Sequence, residues 1–368
     1  MAARPAGSTS RSRTATTTVA RPPVRDYTGA AAPVTVEWDV RPVYDFLFSL
    51  SQDAGSTDDL PAADREWLAK SRAALPDDVQ EDMRSLLHAE VAIHAASFVV
   101  EHPEIRSVDD LLAALDSVAT ADLMRSMLSD FLRDSKSQEL LDLCASGDQD
   151  AIEALSDALP EHKTAFRELL DDPQGSHRRI LNVLRAWAVS YRPIENRVMA
   201  ILERDQALRA ADRGAFEVSD LIERTTGGIR WLPEAGVKRV VLAPSYFTRP
   251  FNYLFAGDDW RFYGYPVSDE ALDIDDRLSP PPAVVRLHRA LGDQTRLRIL
   301  KLLAGRDFYL TEIAQELELS KPTIKHHLAL LRAAGLVTIT ETPTVVYYSL
   351  RTDRIRDASA DLDHFLRA

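Results

Sequence analysis

Apolar residues recur three and four apart over most of this chain, and only in a few places do they alternate or run together. Residues 34–38 alternate in the manner of a short strand. Asp39 then stands where a helix cap would, ahead of Val40, Val43, Tyr44, Leu47 and Leu50 at helical spacing. From about residue 61 to residue 170 helix follows helix, with starts marked by Pro61, Pro76 and Ser107 and breaks by Pro103, the Ser146-Gly147-Asp148 turn and Pro160. A longer helical pattern covers residues 176–211. It contains Pro193, which is expected to end or kink it, because proline has no amide to donate and crowds the carbonyl four residues back. A shorter helix over residues 218–225 stops at Gly227-Gly228.

The texture changes beyond residue 236. "VKRVVLAPSYFTRPFNYLF" and "WRFYGYPV" are β-forming segments separated by a turn at residues 256–259. Nine of the chain's 27 aromatic residues fall between Tyr246 and Tyr265, so this stretch calls for an explanation. Two stand side by side. One is a small sheet, joined by the strand at residues 34–38, that packs its aromatic face on the helices. The other is the wall of an effector pocket, in which Tyr246, Phe247, Phe251, Trp260 and Tyr263 meet a ligand beside the polar Ser245 and Asn252. Residues 268–282 are acidic and end in three prolines, Pro280 to Pro282; such a segment is stiff and fits no element interior, and the domain boundary is placed there.

After the boundary the periodicity becomes helical again, in short pieces. Residues 284–291 form an amphipathic helix ending at Gly292. Residues 294–303 follow, with Leu297, Ile299, Leu300, Leu302 and Leu303 mostly inward and Arg296, Arg298 and Lys301 outward. Thr311 is placed to cap residues 312–317, and Ser320 to cap the helix in "LSKPTIKHHLALLRAAGLV". Two short helices so closely spaced form a helix-turn-helix. In the second, Ile324, Leu328 and Leu331 make the buried stripe. Pro322, His326, Ala329 and Ala333 lie opposite, flanked by Thr323 and Lys325.

That outward face has the chemistry of a groove reader. Lys321 and Lys325 can neutralise phosphate or donate to guanine, while Thr323 and His326 can meet base edges or the thymine methyl. His327 sits at the edge of the buried stripe and reads as a structural histidine. Gly335 ends the helix, and residues 336–350 read as two strands with a turn near residues 341–344, the form of a wing.

The segments "LGDQTRLRILKLLA", "LTEIAQELELSKPTIKHHLALLRAAGLV" and "VVYYSL" together resemble the ArsR family of winged-helix transcriptional regulators over about residues 283–350. The resemblance rests on Asp293-Gln294-Thr295-Arg296 at a helix start, Ser320, Pro322-Thr323, His326-His327-Leu328 and Gly335-Leu336-Val337. It implies a homodimeric repressor that binds double-stranded operator DNA and is released by an effector. The DNA-binding residues are then Ser320, Lys321, Thr323, Lys325 and His326, with Arg296, Arg298 and Arg332. Two departures stand out. The wing tip, Glu341-Thr342-Pro343-Thr344, lacks the basic residues of many family wings. The module also has no cysteine, and its last helix, with Ile355, Ala358, Leu362, Phe365 and Leu366 on one side, offers only Asp361, Asp363 and His364 as donors. No metal and no cofactor are therefore expected.

Composition and charge sharpen this picture. The chain has 368 residues, 45% of them hydrophobic and 27% charged, which suits two or three globular domains. Its one cysteine, Cys144, excludes an internal disulfide framework. No run approaches the roughly 18 apolar residues of a membrane helix, and a cytoplasmic location without membrane contact is expected. The net charge of -13 is unevenly spread: residues 34–280 carry -20, residues 281–368 carry +3. An acidic body thus bears a mildly basic module, the arrangement expected if only the module meets a polyanion.

The expected class is mainly α: a basic, disordered tail (1–33, with five Arg against one Asp), a helical sensory or interaction body with a small β-sheet (34–267), the linker (268–282) and a winged helix-turn-helix domain with a terminal helix (283–368). Against a regulator modulated by a small-molecule or protein effector stand two alternatives. One is an adaptor whose body recruits another factor to DNA. The other is an enzyme fused to a DNA-binding module, although the chain lacks a Gly-rich phosphate loop, a nucleophile elbow and a His-Glu zinc motif, and His88 and His94 are spaced for different helix faces. The expectation is therefore a protein without enzymatic activity.

Overall fold

The computed structural model describes residues 34–88, 91–129, 135–158, 163–272, 280–341 and 346–367. The tail at residues 1–33, the break at Pro160, residues 273–279 of the acidic linker and Thr342 to Thr344 of the wing tip lie outside the described residues. The body opens with strand β1 (Thr35–Trp38) and helix α1 (Pro42–Phe48). Helices α2 (Ala62–Ala73), α3 (Asp77–His88), α4 (Ala95–Glu101), α5 (Val108–Ser117), α6 (Thr120–Leu128), α7 (Ser135–Ala145), α8 (Gln149–Ala158) and α9 (Lys163–Leu170) follow. Local signals set several of these bounds. Ser107 accepts from the Asp110 amide while Asp110 accepts from the Ser107 amide, a reciprocal cap that starts α5.

Helix α10 (Pro173–Leu208) runs 36 residues with Pro193 inside it, so of the two expected effects the proline does not end the helix. The carbonyl that Pro193, having no amide, leaves without its usual partner belongs to Val189, an exposed residue (69%). Asp39 also departs from its expected role as a cap. It lies ahead of α1 and holds Arg41, whose guanidinium also donates to the Ile105 carbonyl at 2.6 Å and to Tyr44, tying α1 to the start of α5.

Helix α11 (Val218–Thr226) and four strands complete the body: β2 (Ile229–Trp231), β3 (Arg239–Ser245), β4 (Tyr253–Ala256) and β5 (Trp260–Pro266). Three of them join β1 in a sheet of order β1-β3-β5-β4, in which β1, β3 and β5 are parallel and β4 is antiparallel to β5. Both faces are covered, which is why β3 reads as a continuous apolar run. Val241 and Ala243, with Phe255 and Phe262, enter the large helical core with α1 and α10. Val240 and Leu242, with Tyr263 and Tyr265, pack in a second cluster with Ile222, Ile229 and Trp231.

The aromatic cluster is accordingly interior, as its reading as a packed sheet face expects. Tyr246, Phe247, Phe251, Trp260 and Tyr263 are all buried; Tyr246, Phe247 and Trp260 lie in the large core and Tyr263 in the second cluster, with Phe247 against Tyr246, Trp67 of α2 and Tyr191 of α10. Phe247, for example, stacks on Trp67 at 5.5 Å. Of the five, Trp260 borders a cleft, one of about 400 Å³ that is largely polar in lining.

The C-terminal module has helices α12 (Pro282–Leu291) and α13 (Gln294–Leu303), a two-residue strand β6 (Phe308–Tyr309), α14 (Leu310–Leu317), α15 (Lys321–Ala333), strands β7 (Val337–Glu341) and β8 (Val346–Leu350), and α16 (Thr352–Arg367). Its core gathers Leu287, Ile299, Leu303, Ile313, Ile324, Leu328, Leu331 and Val337. The wing is wider than the hairpin expected. Its sheet has the order β2-β7-β8-β6, so a strand of the body, β2, lies parallel to β7 with Ile229 opposite Ile339 and Trp231 opposite Glu341. The Ile339 amide donates to the Gly228 carbonyl at 2.8 Å.

Candidate nucleic-acid interface

The site is built on α15. Ser320 caps it, accepting from the Thr323 amide at 3.3 Å, and Pro322 takes a first-turn position where no amide is needed. Ile324, Leu328 and Leu331 fix the helix to the module core, as the periodicity predicts. At the other end Gly335 adopts φ +73°, and its amide and that of Leu336 close on the carbonyls of Arg332 and Leu331 at 2.7 and 2.9 Å. A side chain at Gly335 would strain this left-handed turn. Replacing Ser320 by Ala should lower the module's stability by about 1 kcal/mol, read as a lower urea midpoint at unchanged slope.

Between these caps the first two turns present Lys321, Thr323, Lys325 and His326 to solvent, together with Ser320 and Pro322. His327 is turned inward, its Nδ1 3.8 Å from Asp293. Burial lowers its pKa, with Asp293 opposing, which favours the neutral ring. Arg298 is exposed on α13. Arg296 is half-buried, its guanidinium donating to the carbonyls of Ala290 and Arg289 at 2.9 and 2.8 Å, which locks α13 to the end of α12.

Arg332 requires a correction. It is 6% exposed and does not reach the outward face; its Nη1 donates to Asn252 of the body. The helical wheel contains the signal for this, since Arg332 lies one turn beyond Leu328 and within about 40° of it on the buried side. Asn252 donates in turn to the Thr226 carbonyl at 3.2 Å, so the end of α15 is fastened to α11.

The body also reaches this interface through an acidic loop that sequence reasoning did not single out. Asp58 pairs with Arg289 of α12 at 2.6 Å, and Asp59 pairs with Arg286. Asp53 lies close to the recognition helix. Desolvation raises its carboxyl pKa, and the charges of His326 and Lys325 pull it back. On α16, Asp361 and Asp363 are engaged by Arg354 and Arg367, at 2.6 and 2.8 Å. Among the described residues no group of three or more His, Cys, Asp or Glu is placed to hold a metal ion, and no helix is long and apolar enough to cross a membrane.

A capped helix with an exposed basic first half, preceded by a short helix and flanked by a wing hairpin in a four-stranded sheet, defines a winged helix-turn-helix DNA-binding module. Residues 293–338 match the family described as bacterial regulatory protein, arsR family. The transcriptional repressor SdpR of Bacillus subtilis is 39% identical over 70 residues, 19% of this chain and 78% of SdpR. The HTH-type transcriptional regulator KmtR of Mycobacterium tuberculosis is 35% identical over 78 residues, 21% of this chain and 60% of KmtR. The transcriptional activator HlyU of Vibrio cholerae is 36% identical over 84 residues, 23% of this chain and 76% of HlyU. The chain belongs to the ArsR family of DNA-binding regulators.

Proposed function

We propose that the chain is a sequence-specific transcriptional repressor that binds operator DNA as a homodimer, reads the major groove with Ser320, Lys321, Thr323, Lys325 and His326, and is controlled through its N-terminal body. The observation that carries this reading is the exposed, basic first half of α15 on an otherwise acidic chain. Self-association is supported by apolar side chains left open on the module: Leu297 is 48% exposed, Ile355 39% and Leu366 71%. The last two belong to α16, which packs on α12 of its own module. Control by the body is supported by β2 in the wing sheet and by the ion pairs of Asp58 and Asp59 to α12. The body is read as a sensory domain rather than an enzyme.

Footprinting of the full chain on the DNA upstream of its own gene, and on a random genomic pool, tests this. The expected result is a pair of inverted half-sites about one helical turn apart, with protection lost steeply as salt rises. Absence of protected sites from both the upstream DNA and the pool would remove the operator-binding reading. A single unpaired half-site would remove the dimer.

A further inference from the structure

The cleft between the body and the end of the recognition helix contains a buried guanidinium that no carboxylate pairs with among the described residues. It has a volume of about 170 Å³, and five arginines line it: Arg209, Arg224, Arg249, Arg286 and Arg332. Four are matched by carboxylates. Arg209 pairs with Asp205 at 2.8 Å and Arg224 with Asp212 at 3.2 Å; Arg249 pairs with Asp269 and Arg286 with Asp59. Arg332 is the fifth. Its hydrogen bond is to a neutral amide, that of Asn252, and its Nε is buried without a partner. Burial lowers its pKa to about 10, and the one titratable group that favours its charge is the Tyr348 hydroxyl.

An isolated buried guanidinium is costly unless something supplies the opposite charge. Two further polar atoms in the same lining are buried without partners: the hydroxyl oxygens of Thr225 and Ser268. The backbone comes close here as well. A Cβ on Gly228, which has φ +133°, would stand 3.1 Å from the Val337 carbonyl oxygen and 3.6 Å from Cγ of Arg332. Two unused hydroxyls beside an unmatched guanidinium form a donor set for an oxyanion, since guanidinium geometry suits carboxylate and phosphate and both hydroxyls can donate. The volume limits the occupant to a compact molecule, smaller than those held in typical ligand pockets.

We infer that this cleft binds a small oxyanion, a phosphate or a short dicarboxylate, between Arg332 of the recognition helix and Thr225 and Ser268 of the body. The inference deepens the regulator reading by giving the body's control a site: an anion there touches α15 directly and the elements that carry β2. Filling the cleft strengthens the bridge between body and module and so changes the freedom of α15 to enter a groove.

The test is calorimetric titration of the full chain with sodium phosphate, glycerol 3-phosphate and sodium succinate, ionic strength being held constant with chloride. Saturable binding of at least one, at one site per chain, is expected. It should weaken at least tenfold in Arg332→Met and measurably in the double variant Thr225→Val, Ser268→Ala. Phosphate and succinate distinguish the two sources of the anion. Heats equal to chloride for all three would mean that the cleft holds water alone, and would overturn the inference. Undiminished binding in the double variant would do the same, and that variant decides the matter if Arg332→Met does not fold. Footprints with and without the bound anion should differ at least threefold in midpoint. An unchanged midpoint would end the proposed coupling, while a footprint in the absence of anion would leave the regulator reading standing.

Discussion

Replacing Lys325 and His326 together with alanine should weaken operator binding by roughly 2–6 kcal/mol, at about 1–3 kcal/mol for each side chain that meets a base or phosphate. Both are exposed on α15 and neither belongs to the module core, so folding should be unaffected and the loss assignable to the interface. The single variants separate the roles. Lys325→Ala should weaken binding to all sequences alike and lower the salt slope by about one if the ammonium meets a phosphate. His326→Ala should instead relax preference at one base position. Titration of the labelled operator and of a scrambled duplex at two salt concentrations reads all of this. Equal affinity of the double variant and the parent for the operator would remove α15 as the reading element.

The second large effect belongs to Asp45, deep in the body. Its Oδ1 accepts from the amides of Tyr246 and Phe247 at 2.6 and 3.0 Å and from the Ser245 hydroxyl, at the turn where β3 ends. The carboxyl is fully buried, and burial pushes its pKa up from 3.8 to about 6, against those hydrogen bonds. The folded state therefore holds the proton more tightly than the unfolded chain. The stability this contributes is complete below about pH 4 and is lost as the pH rises through 6, a change of about 3 kcal/mol. Asp45→Asn keeps an acceptor and carries no charge, so its unfolding free energy should lack this fall. Asp45→Ala leaves three donors unpaired in the core; it should cost on the order of 3–5 kcal/mol at the acid end of the range and less at the other, where the parent has lost its own share. Urea unfolding at pH 4.5 and 7.5 distinguishes them. An asparagine variant with the parent's pH slope would refute the assignment of that slope to Asp45.

What the sequence disclosed follows the range of the interactions involved. The module was legible because its signals are local: the cap Ser320, the stripe of Ile324, Leu328 and Leu331, and the turn at Gly335 each lie within a few residues of what they determine, although Thr311, expected to cap α14, lies inside it behind Tyr309. The body sheet was legible as strands, and β1 was correctly expected to join it. Strand β2 was missed because "IRW" is too short to show a period, and what makes it a strand is β7, more than a hundred residues further on. Arg332 was assigned to DNA from its charge, although its position on the helix already placed it beside Leu328. The loop at Asp53, Asp58 and Asp59 reads as ordinary solvated acid in one dimension; its pairing with α12 depends on a fold that brings residues over two hundred positions apart into contact.

Strand β2 bears on how the module can be studied. A fragment beginning at residue 283, where the family resemblance starts, would leave β7 with an open edge of unpaired amides and carbonyls along Ile339 to Glu341, and would uncover the Arg332 guanidinium. Such a fragment has the means to recruit a strand from another copy, and its oligomeric state would then report the cut rather than the protein. A shorter deletion that begins ahead of α11 retains residues 218–231 and keeps that edge closed.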